Sequence, residues 1–301
     1  MKFKRTNNIL NKIIIILMLF TISLYVKKEF VDNNKQETQI KEELNNTYSL
    51  EIFFFDVGQA DSILIKEKDN EVLIDAGNKK DGNNLVNYLG EELNIDDLEI
   101  LVGTHPHEDH IGGLSDVINS IEVEKLYLPN VTTTTKTFEN LLDSIEKNKL
   151  KINVPKIGEK FELGNMNFEV IYTGNDENDL NSSSIILKLM FLNTTYLFMG
   201  DATNETEDKI IKKDIKADVL KVGHHGSKYS TKESFLDKVD PSYAIIEVGE
   251  NNSYNHPDKE TINKLNNKNI KIYRTDIDGT IKLTSDGQNI NIETLDTNLD
   301  G

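Results

Sequence analysis

All six histidines of this 301-residue chain fall in three short blocks, His105/His107/His110, His224/His225 and His256, and this clustering constrains the fold more than any other feature. The first block reads Thr104-His105-Pro106-His107-Glu108-Asp109-His110-Ile111-Gly112-Gly113. It follows a β-rich run, Glu99–Val102, and leads into a helical pattern at Leu114–Ser120. One strand-to-helix loop thus carries four side chains able to ligate metal, close enough together to address two cations rather than one. Imidazole and carboxylate are the donors expected for Zn²⁺, Mn²⁺ or Fe²⁺ at neutral pH. Capping or core roles do not account for so dense a set.

The N-terminus carries a different signal. Lys2, Lys4, Arg5 and Lys12 precede an apolar run from Ile13 to Val26, and Lys27 and Lys28 close it. Counted from Ile9, the 18 residues give about 27 Å of helix at ~1.5 Å per residue, just enough for a ~30 Å hydrocarbon core. Ser23-Leu24-Tyr25-Val26 is not a small-residue cleavage site. Residues 1–28 are therefore expected to form an uncleaved signal anchor, a single transmembrane helix with its basic end cytoplasmic and the body extracellular. Secretion after signal cleavage is the alternative. Residues 29–48 are polar and are expected to be a linker, residues 49–295 the folded domain, and residues 296–301 a tail.

Composition narrows the rest. With no cysteine the chain is neither a disulfide scaffold nor a thiolate-zinc protein. The formal net charge is −17, and since the first 28 residues hold six basic groups and no acid, the remainder carries 28 Lys+Arg against 51 Asp+Glu. Such a surface is no general nucleic-acid footprint, so any phosphate chemistry has to be local. Early hairpin-like runs (Glu51–Val57, Ser62–Lys66, Glu71–Ile74), then β–α alternation, then further hairpins predict two β layers covered by helices. The expected fold class is α/β, a four-layer αββα sandwich behind one N-terminal membrane helix.

The His105–His110 loop resembles the signature of the metallo-β-lactamase-fold hydrolases. Asp75 in Leu73-Ile74-Asp75-Ala76-Gly77, Asp201 in Met199-Gly200-Asp201-Ala202 and His225 in Gly223-His224-His225-Gly226-Ser227 match further blocks in order. The hydrolase domain of ComEC-type competence proteins is closer still, through Asp56-Val57-Gly58-Gln59-Ala60-Asp61-Ser62, Leu220-Lys221-Val222-Gly223, Asn252-x-Tyr254-x-His256-Pro257 and Arg274-Thr275-Asp276. The resemblance implies two divalent ions, Zn or Mn: His105 and His107 on the first, Asp109, His110 and His225 on the second, and Asp201 bridging. It implies a metal-held hydroxide as nucleophile and Asp75 as the residue that orients the ligand loop. His224 and His256 are left over and are candidate catalytic residues, as phosphate contacts or proton donors to the leaving oxygen; the alternative for His224 is to serve as the ligand in place of His225. Lys221, Ser227 and Lys228 are candidates for a local phosphate contact.

Two departures from the family pattern stand out. The segment Asn178–Ile185, where many members carry a third histidine for the first metal, has none. This predicts a more open first site, leaves occupancy by the second ion an open question, and counts against lactamase activity. Ala60 stands where the ComEC-type sequences have Gly, and Ala tolerates positive φ poorly. The resulting expectation is a metal-dependent hydrolase, a phosphodiesterase or nuclease acting outside the membrane on DNA or an envelope polymer, with no obligate protein partner. An esterase for a cell-envelope phosphodiester such as phosphorylcholine is the enzymatic alternative, and a non-catalytic surface binding module the other.

Overall fold

Alternation of apolar side chains builds the layers. At strand β1 (Leu50–Phe54) and just beyond it, Phe53 and Phe55 join one apolar cluster, while Phe54 turns the other way, its ring 6.4 Å from that of Phe198. The computed structural model describes residues 49–301, so the expected membrane helix and linker lie outside it. Among the described residues no helix is long and apolar enough to cross a membrane.

The strands that follow are β2 (Ile63–Glu67), β3 (Asn70–Ile74), β4 (Asp97–Val102), β5 (Glu122–Tyr127), β6 (Ile152–Asn153), β7 (Lys160–Leu163) and β8 (Met166–Tyr172). Next come β9 (Ile186–Phe191), β10 (Thr194–Phe198), β11 (Val219–Lys221), β12 (Tyr243–Ile246), β13 (Lys271–Arg274), β14 (Thr280–Ser285) and β15 (Ile290–Leu295). Helices are α1 (Gly82–Asn87), α2 (Glu108–Ile111), α3 (Leu114–Ser120), α4 (Lys136–Lys147), α5 (Asn204–Ile210), α6 (Glu233–Val239), α7 (Lys259–Asn267) and α8 (Thr275–Asp278). The first sheet runs β15-β14-β1-β2-β3-β4-β5-β6 and the second β13-β12-β11-β10-β9-β8-β7.

Leu64, Leu73 and Leu101 of the first sheet bury against Leu85 of α1, Val117 of α3 and Leu141 of α4. Leu197, Leu220 and Ala244 of the second bury against Ile210 of α5, Phe235 of α6 and Leu265 of α7. The order is therefore helix, sheet, sheet, helix, the α/β sandwich expected from the sequence pattern. Each sheet is antiparallel on one side and parallel on the other: β3 to β6 and β10 to β13 are parallel and are joined by helical crossovers. Loops at the carboxyl ends of those parallel strands converge, the place where open α/β sheets hold their ligands.

Three details differ from the sequence pattern. Strand β5 carries Glu122, Glu124 and Lys125, which hid its alternation, although Val123 and Leu126 point inward. Strand β11 is only three residues long and ends in a buried lysine. Residues 296–301 are no loose tail: Leu299 is 6% exposed in the first core, its N–H donates to Asp56 O at 2.7 Å, and Asn298 bridges to Asp56. Ala60 is fully buried without a positive φ; the left-handed position in that loop is Gly58, at φ +68°.

Candidate metal centre

Asp75 leaves β3 in a left-handed conformation, φ +58°, and its carboxylate accepts three hydrogen bonds. Thr104 donates twice, from N at 2.7 Å and Oγ1 at 2.6 Å, and His110 donates from Nδ1 at 2.8 Å. These bonds clamp the loop after β4 at both ends and fix the His110 tautomer, so Nε2 is its free donor atom. Among the described residues Nε2 has no hydrogen-bond partner; it stands 3.4 Å from Asp201 Oδ1, which has none there either, and 3.9 Å from Asp109 Oδ2.

Asp201 follows β10 and divides its carboxylate between two groups. Oδ1 faces His110 Nε2 and His225 Nε2, the latter at 3.7 Å, while Oδ2 faces His105 Nε2 at 3.9 Å. His107 Nδ1 lies 3.0 Å from His105 Nε2, and Asp109 Oδ2 lies 3.3 Å from His225 Nε2. His225 donates from Nδ1 to Glu247 O at 2.9 Å, which turns its Nε2 inward. Two donor sets result, Asp109/His110/Asp201/His225 and His105/His107/Asp201, with donor atoms within 4.8 Å of one another in each. Of the pair on the 223–226 loop, it is His225 that enters the cluster; His224 Nε2 lies 3.9 Å from Asp201 Oδ2, at the edge.

The electrostatics fit a cation. Burial works against charge on Asp201, yet His225 and His110 hold its carboxyl well below the ordinary range. Burial likewise opposes charge on His110 and His225, yet Asp201 with Asp75 and Asp109, and Asp201 with Asp61, raise their proton affinity well above normal. His105 and His107 are pushed down, chiefly by burial. A buried place that calls for positive charge, floored by aligned nitrogen and carboxylate oxygen donors without other partners, suits divalent ions bound by imidazole and carboxylate.

The loop Gly223–Gly226 holds both histidines at positive φ, +52° and +50°. Gly226 is also left-handed, and a Cβ there would lie 2.6 Å from Pro257 Cβ, so this loop packs directly on the His256–Pro257 segment. That contact brings His256 to the cleft: its ring centroid lies 5.6 Å from that of His224 and 5.8 Å from that of the exposed Tyr254. Asn252 fixes the segment, accepting from His256 N at 3.0 Å and donating to His256 O at 2.6 Å. The cleft, about 800 Å³, has His107, Asp109, Asp201 and His225 on its floor and His224 and His256 on one wall. Asn181, in the segment without a histidine, also lines it, with Nδ2 3.4 Å from His224 Nε2.

The expected phosphate contacts are elsewhere. Lys221 is 1% exposed and donates to Asp61 Oδ2 at 2.5 Å, and Ser227 is buried. Lys228 lies over the Tyr229 ring, outside the cleft lining. A lysine inside the apolar run Val219–Val222 needs a buried acid, and that is the sequence signal by which Asp61 and Glu247 could have been singled out.

A two-sheet sandwich with this His/Asp constellation at its strand ends defines the metal-dependent hydrolases of the metallo-β-lactamase fold. The chain belongs to the metallo-beta-lactamase superfamily, whose family model matches residues 55–249. It is 31% identical over 258 residues to ComE operon protein 3 of Bacillus subtilis (strain 168), covering 77% of this chain and 32% of that protein. It is 25% identical over 232 residues to Competence protein ComA of Neisseria gonorrhoeae, covering 76% and 31%. The chain thus spans about a third of the length of these relatives and matches the ComEC-type hydrolase domain. Among solved structures, the metallo-beta-lactamase fold protein YhfI from Bacillus subtilis superposes with a TM-score of 0.52 at 12% identity, over 75% of this chain and 95% of that one, a likeness of fold.

Proposed function

We propose that this metal-dependent hydrolase cleaves phosphodiesters, in a body held outside the membrane by residues 1–28. The observation that carries the reading is Asp201, whose two carboxylate oxygens face two separate donor sets on the floor of an open cleft. Divalent ions bound there supply a water of lowered pKa and an electrophile for a non-bridging phosphoryl oxygen. His105, His107, Asp109, His110 and His225 orient that chemistry, and Asp75 holds His110 and Thr104 in register. His256, on the wall above Asp201 and backed by Tyr254 and Asn252, donates the proton to the departing oxygen; His224 and Asn181 line the approach. With no histidine in Asn178–Ile185, the chain lacks the donor that a lactamase brings to its first metal.

The test is hydrolysis of bis-p-nitrophenyl phosphate and of nitrocefin by chain loaded with Mn²⁺ or Zn²⁺. Phosphodiester cleavage without lactam cleavage is expected, and His256→Ala should lower kcat about 10²–10⁴-fold with its metal content kept. Nitrocefin turnover without phosphodiester cleavage would overturn the proposal; equal loss of metal and rate in His256→Ala would make that residue a ligand.

The second reading, an esterase for an envelope phosphodiester with a cationic head group such as phosphorylcholine, is favoured by the charge of the cleft. Asp56, Glu250, Asp276 and Asp300 line it, and Lys80, the one lysine among the described residues that line it, pairs with Asp300. Such walls suit a small cationic ester better than a long polyanion. Competition between single-stranded DNA and phosphorylcholine esters for the same loaded chain separates the two.

A further inference from the structure

Beneath the second donor set lies a charged group that ligation leaves unexplained. Lys221 at the end of β11, Asp61 in the loop after β1 and Glu247 after β12 are each no more than 1% exposed. Lys221 Nζ donates to Asp61 Oδ2 at 2.5 Å and to Val222 O at 3.2 Å, and lies 3.7 Å from Glu247 Oε2. Glu247 Oε1 accepts from Ser62 N at 2.9 Å. A full ion pair buried at this depth brings little net stability, because desolvation of both charges offsets their attraction. Its position offers another purpose.

Asp61 touches the ligand set on three sides. Its Oδ1, with no other partner among the described residues, is 3.3 Å from His225 Nδ1, and its Oδ2 is 3.9 Å from His110 Nδ1. Its N–H donates to Asp109 O at 3.1 Å, and its carbonyl accepts from Gly77 N at 2.9 Å, two residues beyond Asp75. Glu247 completes the arrangement through its carbonyl, the acceptor for His225 Nδ1. Asp61 belongs to a loop of the first sheet and Lys221 to a strand of the second, so the pair joins the two halves of the site directly behind His225.

We propose that Asp61 and Lys221 are positioning residues for the second metal: the buried ion pair fixes Asp61 behind His225 and beneath the Asp109 backbone, and so sets the direction of the His225 Nε2 and Asp109 donors. Lys221 acts through Asp61 and touches neither metal nor substrate. This rests on the metal-hydrolase reading of the site, and the test keeps the two apart.

Calorimetric titration of Mn²⁺ into the full chain is the measurement, with metal-free melting followed in parallel. Asp61→Asn, Lys221→Met, the double variant Asp61→Asn/Lys221→Met and His225→Ala are compared with wild type. Because the double variant removes both members of the Asp61–Lys221 pair together, it covers the case in which a single one does not fold. The expected result is a loss of about 10–100-fold in affinity at one step in each Asp61 or Lys221 variant, the range seen when a partner behind a metal ligand is removed. Lys221→Arg should recover part of the loss. In a His225→Ala background Lys221→Met should cost less than it does in wild type, since the part of the effect that runs through that imidazole is already gone. Wild-type affinity in the double variant, or a loss in Lys221→Met that adds in full to that of His225→Ala, overturns the proposal. A fall in metal-free melting with Mn²⁺ affinity kept assigns the pair to structure alone. A wild-type chain that takes up no Mn²⁺, Zn²⁺ or Fe²⁺ overturns the metal reading itself.

Discussion

Take away the carboxylate of Asp75 and three buried donors lose their acceptor together: Thr104 N, Thr104 Oγ1 and His110 Nδ1. Each orphaned group costs ~1–3 kcal/mol, so Asp75→Ala should destabilise the chain by ~3 kcal/mol or more in urea denaturation. It also frees His110 to rotate, and Mn²⁺ affinity should fall about 10–100-fold. Wild-type Mn²⁺ binding in Asp75→Ala would leave the orienting role without support. At this scale the sequence was legible where chemistry is local. His105, His107, Asp109 and His110 stand within six residues, and no fold knowledge was needed to see a metal loop. Lys221 was misread because its meaning comes from Asp61, a residue 160 positions away that only the packing of two sheets makes a neighbour.

Among elements, α5 and the start of α6 are tied by one side chain. Glu207, buried within α5, accepts from the backbone N–H of Thr231 and, at 2.9 Å, of Lys232. This ties the segment that leaves the His224–His225 loop. Burial, only partly opposed by those bonds, pushes its pKa up to about 7 from the ordinary 4.5. Between these two values the folded chain keeps a proton that the unfolded chain has released. The contribution is thus complete below pH 4.5 and is lost as pH rises through about 7, by up to ~3 kcal/mol at ~1.4 kcal/mol per unit. Glu207→Gln should flatten this part of the stability curve, measured by urea denaturation from pH 4.5 to 8. Parallel curves for the two proteins would show that Glu207 does not titrate there. Helix α3 was read to the residue, Leu114–Ser120, because its apolar spacing and polar flanks agree. β5 was not, since its outward glutamates and lysine outweigh a short alternation whose inward side only the neighbouring strands reveal.

For the whole molecule, the apolar run Ile13–Val26 with its basic flanks predicts that the full chain fractionates with membranes and that protease added outside digests the body. A soluble form starting near residue 27 would show a cleaved signal instead. The pairing of β1 with β14, Leu50 opposite Ser285, has a further consequence for how the protein comes into being. Synthesis delivers residues in order, and non-local strand pairs wait for their later partner. Strand β1 of the first sheet lacks one neighbour until Ser285 has been made, and His105 to His110 wait for Asp201 and His225 from the second sheet. A nascent chain therefore holds no assembled centre before both sheets have been made, and hydrolytic power arrives late in synthesis rather than with the metal loop itself.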